Sequence, residues 1–506
     1  MAILQRSPAT PFVESSAHRL SLEESWELLT KLVGVHHISP DDQQARHIVF
    51  ILCEWLGYLP LSLELIAQYL AENPKMSLEE MFRRLQAQRL KSELINSPKQ
   101  GIQSTLKAVE HGVKAAFELT WNKLDSTTQD IARFLSLFAP NLIPWRLVES
   151  ASMTLNWSKV DLKRAKTNLC RWKLIQSVET QTDSYTIHPL IRECLQNKLV
   201  ASEQSEKFKR SFIQAMVLVA QQIPDSPTPE DIQFITQAVP HLIQVTQTLQ
   251  DLVRTEELLW LLDRLGNFYK SQGLYHLAKP WFIKCLYLAK SRLGNNHPDV
   301  ATSLNNLAGV YYTQGHYAQA EPLYVQALNL RKCFLGNNHS EIATTLSNLA
   351  GVYYAQGCYE KAEPLYLEAL KLRKRFQTNN ALEIATTLNN LALVYYAQGR
   401  YAEAEPLYLE ALELRKKKLG HEHLDVAITL NNLASLYDAQ GRYREAKSLL
   451  LQVLDISELV LANHHSNTLV LRQNLALLQE KLAANNSRFS QRLKRKLLIF
   501  IARKKT

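Results

Sequence analysis

Glycine and proline are scarce in this chain, 15 and 18 among 506 residues. With 46% hydrophobic residues, that scarcity excludes a collagen-like or low-complexity chain and points to packed helices. Cysteine is scarcer still. Cys53, Cys170, Cys194, Cys285, Cys333 and Cys358 form no C-x-x-C pair, so no disulfide framework or zinc site is legible, and a reducing cytosol suits them. The opening MAILQRSPATP has no apolar signal core. LLIFIA, the longest apolar run of the tail, falls far short of the ~20 residues that cross a bilayer. The expectation is a soluble, cytoplasmic protein. Also missing are a G-x-x-x-x-G-K-[ST] loop and a hydrophobic strand ending in paired acidic residues. Those parts cradle phosphates and hold Mg²⁺. The chain is therefore read as no enzyme, with no metal site and no cofactor of its own.

What is present is length, charge at one end, and a period. A chain of 506 residues suggests about three or four domains. The net charge of +10 is not spread evenly. Residues 481–506 carry nine Lys and Arg and no Asp or Glu, leaving 49 basic against 48 acidic residues in the first 480. The body is neutral, and only the tail is basic.

Gly273, Gly315, Gly357, Gly399 and Gly441 recur every 42 residues, and Asn306, Asn348, Asn390, Asn432 and Asn474 keep the same step. Such a period means a solenoid whose units bury a shared core only by stacking. One unit, 301–342, reads ATSLNNLAGVYYTQGHYAQAEPLYVQALNLRKCFLGNNHSEI. Leu304, Leu307, Ala308 and Tyr311 fall on one face of a first helix, Gly315 turns the chain, and Tyr317, Ala320, Tyr324 and Ala327 stripe a second. These offsets match the tetratricopeptide repeat, and the NNLA and AEPLY-x-x-AL segments resemble the longer repeats of kinesin light chains. The resemblance covers roughly 260–485.

Three further regularities lie inside the units. Pro322, Pro364 and Pro406 sit in the second helices, at a position expected within the first two turns. The runs LRKCF, LRKRF and LRKKK end those helices, where cations face the negative end of the helix dipole. An acidic-partner patch is the other reading of the same runs. His297, His339, His423 and His465 share one position, which Ala381 holds in the remaining unit. That argues for loop histidines rather than a metal array.

By the geometry of the family, first helices line a concave groove. The residues placed there are Asn305, Asn306 and Tyr312, then Ser347, Asn348 and Tyr354, then Asn389, Asn390 and Tyr396, then Asn431 and Asn432. Gly309, Gly351, Leu393, Ser435 and Asp438 accompany them. Carboxamides pair with peptide backbone, and tyrosine adds contact area with little rotamer entropy lost. No cluster of Lys and Arg faces the groove, so an extended or apolar peptide is the expected ligand. Replacing Asn305, Asn389 and Asn431 is expected to abolish capture and leave the fold intact. The competing reading is that one Asn of each pair stitches neighbouring repeats together.

The front third reads differently. RLSLEESWELLTKLVG, DDQQARHIVFILCEWLG, PLSLELIAQYLAEN and SLEEMFRRLQAQRLK are helical, with capping boxes at Ser21/Glu24 and Ser77/Glu80. Beyond 110, three helical stretches end in LIQSV…SYTIH, a β-hairpin signal. LGYLPL, with Pro60, resembles the Gly-Leu-Pro-Leu motif of NB-ARC nucleotide-switch ATPases, and YTIHPLIRE, with His188, resembles their Met-His-Asp segment. Pro189 stands where an Asp is usual. The resemblance implies that Pro60 packs on adenine and His188 touches the β-phosphate of ADP. It implies too that MAILQRSP, with Arg6, is the last strand of a sheet domain left behind. Both residues then persist as vestigial nucleotide contacts or as packing residues, and ADP or ATP would bind only with a nucleotide-binding domain supplied in trans.

The expected fold is all-α dominated: a helical subdomain and a winged helix, then a right-handed tetratricopeptide-repeat α-solenoid. Its expected segments are a sheet remnant (1–20), the helical subdomain (21–98), a winged-helix-like domain (99–200) and a helical linker (201–258). The solenoid (259–485) has five repeats and a partial sixth, and a basic amphipathic tail (486–506) follows. The expected function is a protein-interaction scaffold or sensor that binds a protein or peptide, in NB-ARC-type signalling. The alternative is the accessory half of a nucleotide switch. Nucleic acid is not the expected partner, although KVDLKRAKTNLCRWK carries Lys163, Arg164, Lys166, Arg171 and Lys173 on the helix that would read DNA. For the tail, a weak contact with anionic membranes and a frayed cap on the last repeat stand as alternatives.

Overall fold

The computed structural model describes residues 20–33, 43–56, 58–95, 104–178, 183–224, 227–336, 339–375, 381–461 and 469–483. The readings made on Arg6, on His465 and on residues 486–506 lie outside the described residues. The chain divides into two units, Met1–Ser271 and Gln272–Thr506.

The first unit opens with α1 (Leu22–Val33), α2 (Gln43–Leu56), α3 (Pro60–Ala71), α4 (Leu78–Ile95) and α5 (Ser104–Trp121). The Ser21/Glu24 box forms in both directions, at 2.7 and 3.2 Å. Proline at its first position starts α3 without losing a hydrogen bond. Helices α2, α3 and α4 all pack on α5. Gly112 is why α5 comes so close to α2, because a Cβ there would stand 3.2 Å from the Leu56 backbone.

Then follow α6 (Ser126–Leu135), β1 (Ile143–Pro144), α7 (Trp145–Leu155), α8 (Lys159–Arg171), β2 (Gln176–Ser177), β3 (Ser184–Thr186) and α9 (Pro189–Val200). The expected hairpin is β2–β3, antiparallel with Gln176 opposite Thr186. The two-residue strand β1, too short to leave a periodic signal, adds to the other edge of β3.

The unit ends with α10 (Ser205–Gln221), α11 (Pro229–Thr248) and α12 (Thr255–Ser271). Residues 201–258, expected as a linker, are core instead. Phe208 and Phe212 of α10 are buried, and the Phe212 ring meets Phe138 edge-on at 4.9 Å. His241 of α11 is fully buried. Its Nδ1 accepts from the Ala139 N–H at 3.1 Å, and its Nε2 lies 2.9 Å from the Leu142 carbonyl, to which it donates. Burial pushes its pKa down to about 4, so it is neutral, as an accepting Nδ1 requires. Arg192 donates to the Ala139 carbonyl at 3.3 Å, and the 139–142 turn is held from two helices.

The second unit is a file of helix pairs: α13 (Tyr275–Leu293), α14 (Pro298–Thr313), α15 (Tyr317–Leu335), α16 (Ser340–Ala355), α17 (Tyr359–Arg375), α18 (Ala381–Ala397), α19 (Tyr401–Leu419), α20 (Leu424–Ala439) and α21 (Tyr443–Leu461). A helix over 469–483 follows, burying Leu478 against the last pairs. The recurring glycine ends each first helix. At Gly315 φ is +76°, and the His316 N–H bonds the Tyr311 carbonyl while the Gly315 N–H bonds Tyr312. That double bond is a Schellman cap, which needs a left-handed residue. The core is the expected one: Leu304, Ala308, Ala320, Tyr324 and Ala327 are buried, as are Leu346, Ala350, Ala362, Tyr366 and Ala369 one repeat on. The exposed prolines sit at the sixth residue of α15, α17 and α19, which run through them unbroken. Successive first helices also touch one another, α14 with α16, α16 with α18 and α18 with α20.

Two of the repeat's regular residues play parts not expected from sequence. His297, His339 and His423 are N-caps, each Nδ1 accepting from the N–H two residues on at 3.1 to 3.2 Å. The basic runs are not primarily dipole ligands. Their first cation, Arg331, Arg373 or Arg415, is buried and crosses to the next repeat. Arg415 donates to the Asp425 carbonyl at 2.9 Å and to the Thr429 hydroxyl at 2.7 Å. Arg331 makes the same pair of bonds to Glu341 and Thr345, and Arg373 to Glu383 and Thr387.

Two expectations follow. Arg373→Ala leaves a buried carbonyl and hydroxyl without their cation, at a cost of about 3 kcal/mol, to be read as a lowered urea midpoint for the repeat unit. Separately, neutral His241 favours the folded state. Its contribution is complete above pH 6.5 and is lost as pH falls toward 4, worth about 3 kcal/mol across that window. His241→Gln is expected to flatten that part of the stability–pH curve of the first unit, measured by urea denaturation.

Candidate peptide-binding face

The face that α14, α16, α18 and α20 share carries every residue assigned to the groove. The carboxamides on it are partly committed to one another. Asn348 Nδ2 donates to Asn305 Oδ1 at 3.2 Å, and Asn432 Nδ2 donates to Asn389 Oδ1 at 3.0 Å. Each bond joins one repeat to the next. Within a repeat, Asn305 bonds Asn306 at 3.2 Å and Asn389 bonds Asn390 at 3.3 Å. Between these two rungs the ladder is interrupted, because Ser347 stands where the others have Asn. Arg373 donates to its hydroxyl at 3.0 Å, and Asn390 turns to the Tyr366 hydroxyl.

This geometry corrects one expectation. Asn305 and Asn389 are not groove residues whose loss would leave the fold untouched. Asn389 is only 4% exposed, and both accept a bond from the following repeat. The reading in which asparagines stitch repeats together describes these pairs, since the second Asn of one unit is donor and the first Asn of the preceding unit is acceptor. Asn431 differs: among the described residues its half-buried side chain has no hydrogen bond.

The phenols form a second row. Tyr312, Tyr354 and Tyr396 are half-buried, each ring set against the tyrosine five residues on, with centroids 5.6 to 5.8 Å apart. Burial raises the pKa of Tyr312 and Tyr354, so they are neutral donors. Between the rows, Gly351 leaves room for a methyl group. A Cβ there would stand 3.5 and 3.6 Å from the Tyr366 and Tyr312 hydroxyls, an ordinary contact distance. Leu393 and Ser435 fill the same place further along. The one carboxylate assigned to this face, Asp438, pairs with Lys481 at 2.6 Å. The assigned surface is thus a polar, uncharged strip with hydroxyl and amide donors.

The residues assigned to nucleotide lie in the first unit and have other duties. Pro60 opens α3. His188 is the N-cap of α9, its Nδ1 accepting from the Leu190 N–H at 3.2 Å, with Pro189 behind it. Burial holds its pKa below the ordinary histidine value, which suits an acceptor. Helices α3 and α9 both pack on α5, and this is the extent to which the fold relates the two residues.

On α8 the cations are largely engaged within the fold. Arg164 pairs with Asp161 at 2.9 Å, and Arg171 pairs with Glu72. Lys166 pairs with Asp183 at 2.7 Å and covers the Trp145 ring at 5.3 Å. Among the described residues there is no group of three or more His, Cys, Asp or Glu placed to hold a metal, and no helix long and apolar enough to cross a membrane.

Comparison with known proteins fits this geometry. The family model described as tetratricopeptide repeat matches residues 257–332, 341–417 and 383–459. Over those residues the chain is an array of tetratricopeptide repeats. A curated relative from Hyaloscypha variabilis, named a nucleotide-binding leucine-rich repeat (NLR)-like protein, is 32% identical over 150 residues, 29% of this chain and 14% of that one. The match thus spans about a seventh of the relative's length. Among solved structures, a Podosopora anserina putative kinesin light chain with nearly identical TPR-like repeats is 24% identical, covering 40% of this chain and 95% of that one, with a TM-score of 0.34. A Pyrococcus horikoshii STAND protein with a tetratricopeptide-repeat sensor is 15% identical, covering 92% of this chain and 62% of that one, with a TM-score of 0.43.

The asparagines of the tetratricopeptide array separate by their bonding. Asn389→Ala is expected to cost about 1–2 kcal/mol, since it strands the Asn432 amide between repeats. Asn431→Ala is expected to stay within about 0.5 kcal/mol of the parent. Urea denaturation of both variants checks this difference.

Proposed function

We propose that this chain is a non-enzymatic scaffold or sensor whose repeats bind an extended, largely uncharged peptide segment along the inner face of the first helices. The observation that carries the reading is the make-up of that face. It offers amides and phenols whose bonding capacity is only partly used, with Asn431 unengaged and Asp438 neutralised by Lys481. Such groups recognise main-chain N–H and C=O through hydrogen bonds, while tyrosine faces supply apolar contact. A partner rich in carboxylates finds no free cation among the assigned groove residues.

The first unit then fits the part of relay. Its element order α6–β1–α7–α8–β2–β3 is read as a winged helix, serving as a packing module because three of its five α8 cations, Arg164, Lys166 and Arg171, pair with Asp161, Asp183 and Glu72. NB-ARC-type signalling is the setting supported by the sequence motifs and by the NLR-like relative. The alternative, a half-site for ADP completed in trans, draws less support, because Pro60 and His188 each serve a helix start.

Panning a random-peptide phage library on the purified chain tests the proposal. It is expected to enrich peptides poor in Asp and Glu, whose affinity falls about tenfold in Asn431→Ala without a change in unfolding midpoint. A library that yields no binder, or binders indifferent to both Asn431→Ala and Tyr396→Phe, overturns it.

A further inference from the structure

The strict repeat makes departures from it visible, and one seam departs in three ways. Between inner repeats a surface ion pair crosses the seam: Lys332 to Glu368 at 3.5 Å, and Lys374 to Glu410 at 2.8 Å. One repeat earlier the same two positions hold Lys290 and Gln326. The lysine is kept and its carboxylate is lost.

The buried clamp is missing there as well. Ala289 stands at the position of Arg331, Arg373 and Arg415. Ser303, at the position of the clamped threonines, faces the Cys285 sulfur at 3.3 Å instead. This first seam also opens into a cleft of 380 Å³, lined by Lys290, Asn295, Asn296, Gln326 and Asn329. None of these five side chains has a hydrogen bond or ion pair among the described residues. Val300 and Leu304, both buried, form its floor.

We propose that this cleft is a binding site for a small carboxylate of amino-acid size, whose carboxyl group takes the place of the missing glutamate. Lys290 supplies the cation. The carboxamides of Asn295, Asn296 and Asn329 supply N–H donors to the oxygens and an acceptor for an amide or hydroxyl on the ligand. The volume lies within the range of small-molecule sites, roughly 300–1,000 Å³, which favours a free ligand over a partner's whole surface. The site is built from α13, α14 and α15 at the end of the array, away from the Asn431 end of the inner face. Its test is therefore independent of peptide binding.

Calorimetric titration of the whole chain with N-acetylglutamate at low ionic strength, where an exposed ion pair is least screened, tests the site. N-acetylglutaminamide, with both carboxyl groups converted to amides, is the uncharged control. Saturable binding of the glutamate compound is expected, with affinity at least about tenfold lower for N-acetylglutaminamide, for Lys290→Met and for Gln326→Glu. Gln326→Glu supplies the carboxylate from within, so it is also expected to raise the melting temperature without ligand. Lys416→Met, at the other end of the array, is expected to bind as the parent does. Absence of saturable binding to the parent up to about 10 mM, or unchanged affinity in Lys290→Met, overturns the proposal, as does equal binding of N-acetylglutaminamide.

Discussion

The repeat array depends on a cation that solvent does not see. Arg331, Arg373 and Arg415 reach across three successive seams and bond the first-turn carbonyl and a threonine hydroxyl of the next unit. A buried guanidinium is costly to desolvate, and burial lowers the pKa of all three. The cost is offset only where its N–H groups meet acceptors at fixed positions. The clamp thus specifies how one repeat sits on the next as well as holding it there. Apolar stacking of Tyr324, Tyr366 and Tyr408 supplies area, but area alone leaves register open. The guanidinium has five donors in a rigid plane and does not.

That fixed register is what makes the inner face usable. With first helices held at a constant offset, asparagines at one sequence position fall within bonding distance of their neighbours, as Asn432 and Asn389 do. A ladder of this kind is set by the fold itself, through bonds between neighbouring units. Its interruption at Ser347 and the gap at Gly351 make the stretch along α16 the least crowded part of the face. The same logic explains why the seam before Ser303 is different. Without arginine and glutamate, neither the buried clamp nor the surface pair spans it, and a cleft remains.

The first unit is held by another principle. Its aromatic cluster, Phe134, Phe138 and Phe212, meets through Phe138 a neutral histidine that ties a turn to a helix about 100 residues away. His188 and Pro60 show how a motif residue can be retained for local reasons. An N-cap and a first-turn proline are each sufficient to keep them, whatever a nucleotide once required.

Much of the fold was legible in the sequence. The 42-residue period, the buried stripe from Leu304 to Ala327, the Schellman glycines and the Ser21/Glu24 box are local or periodic, and local rules govern them. The β2–β3 hairpin was legible for the same reason, whereas β1, with two residues, carries no period. The resemblance to the tetratricopeptide repeat placed the groove candidates on the first helices, and they lie on α14, α16, α18 and α20. It did not show which of them were free. Asn305 and Asn431 occupy the same repeat position, yet one accepts a bond from the next repeat and the other does not. That is settled by the unit that follows, beyond any local pattern. The arginines of LRKCF, LRKRF and LRKKK read as cations facing the helix dipole because their acceptors lie ten and fourteen residues on, in another repeat. Residues 201–258 read as a connector because nothing in them names Phe134 and Phe138 as partners. Period and helix ends belong to the chain itself, while burial and hydrogen-bond partnership belong to whatever the packed fold brings alongside.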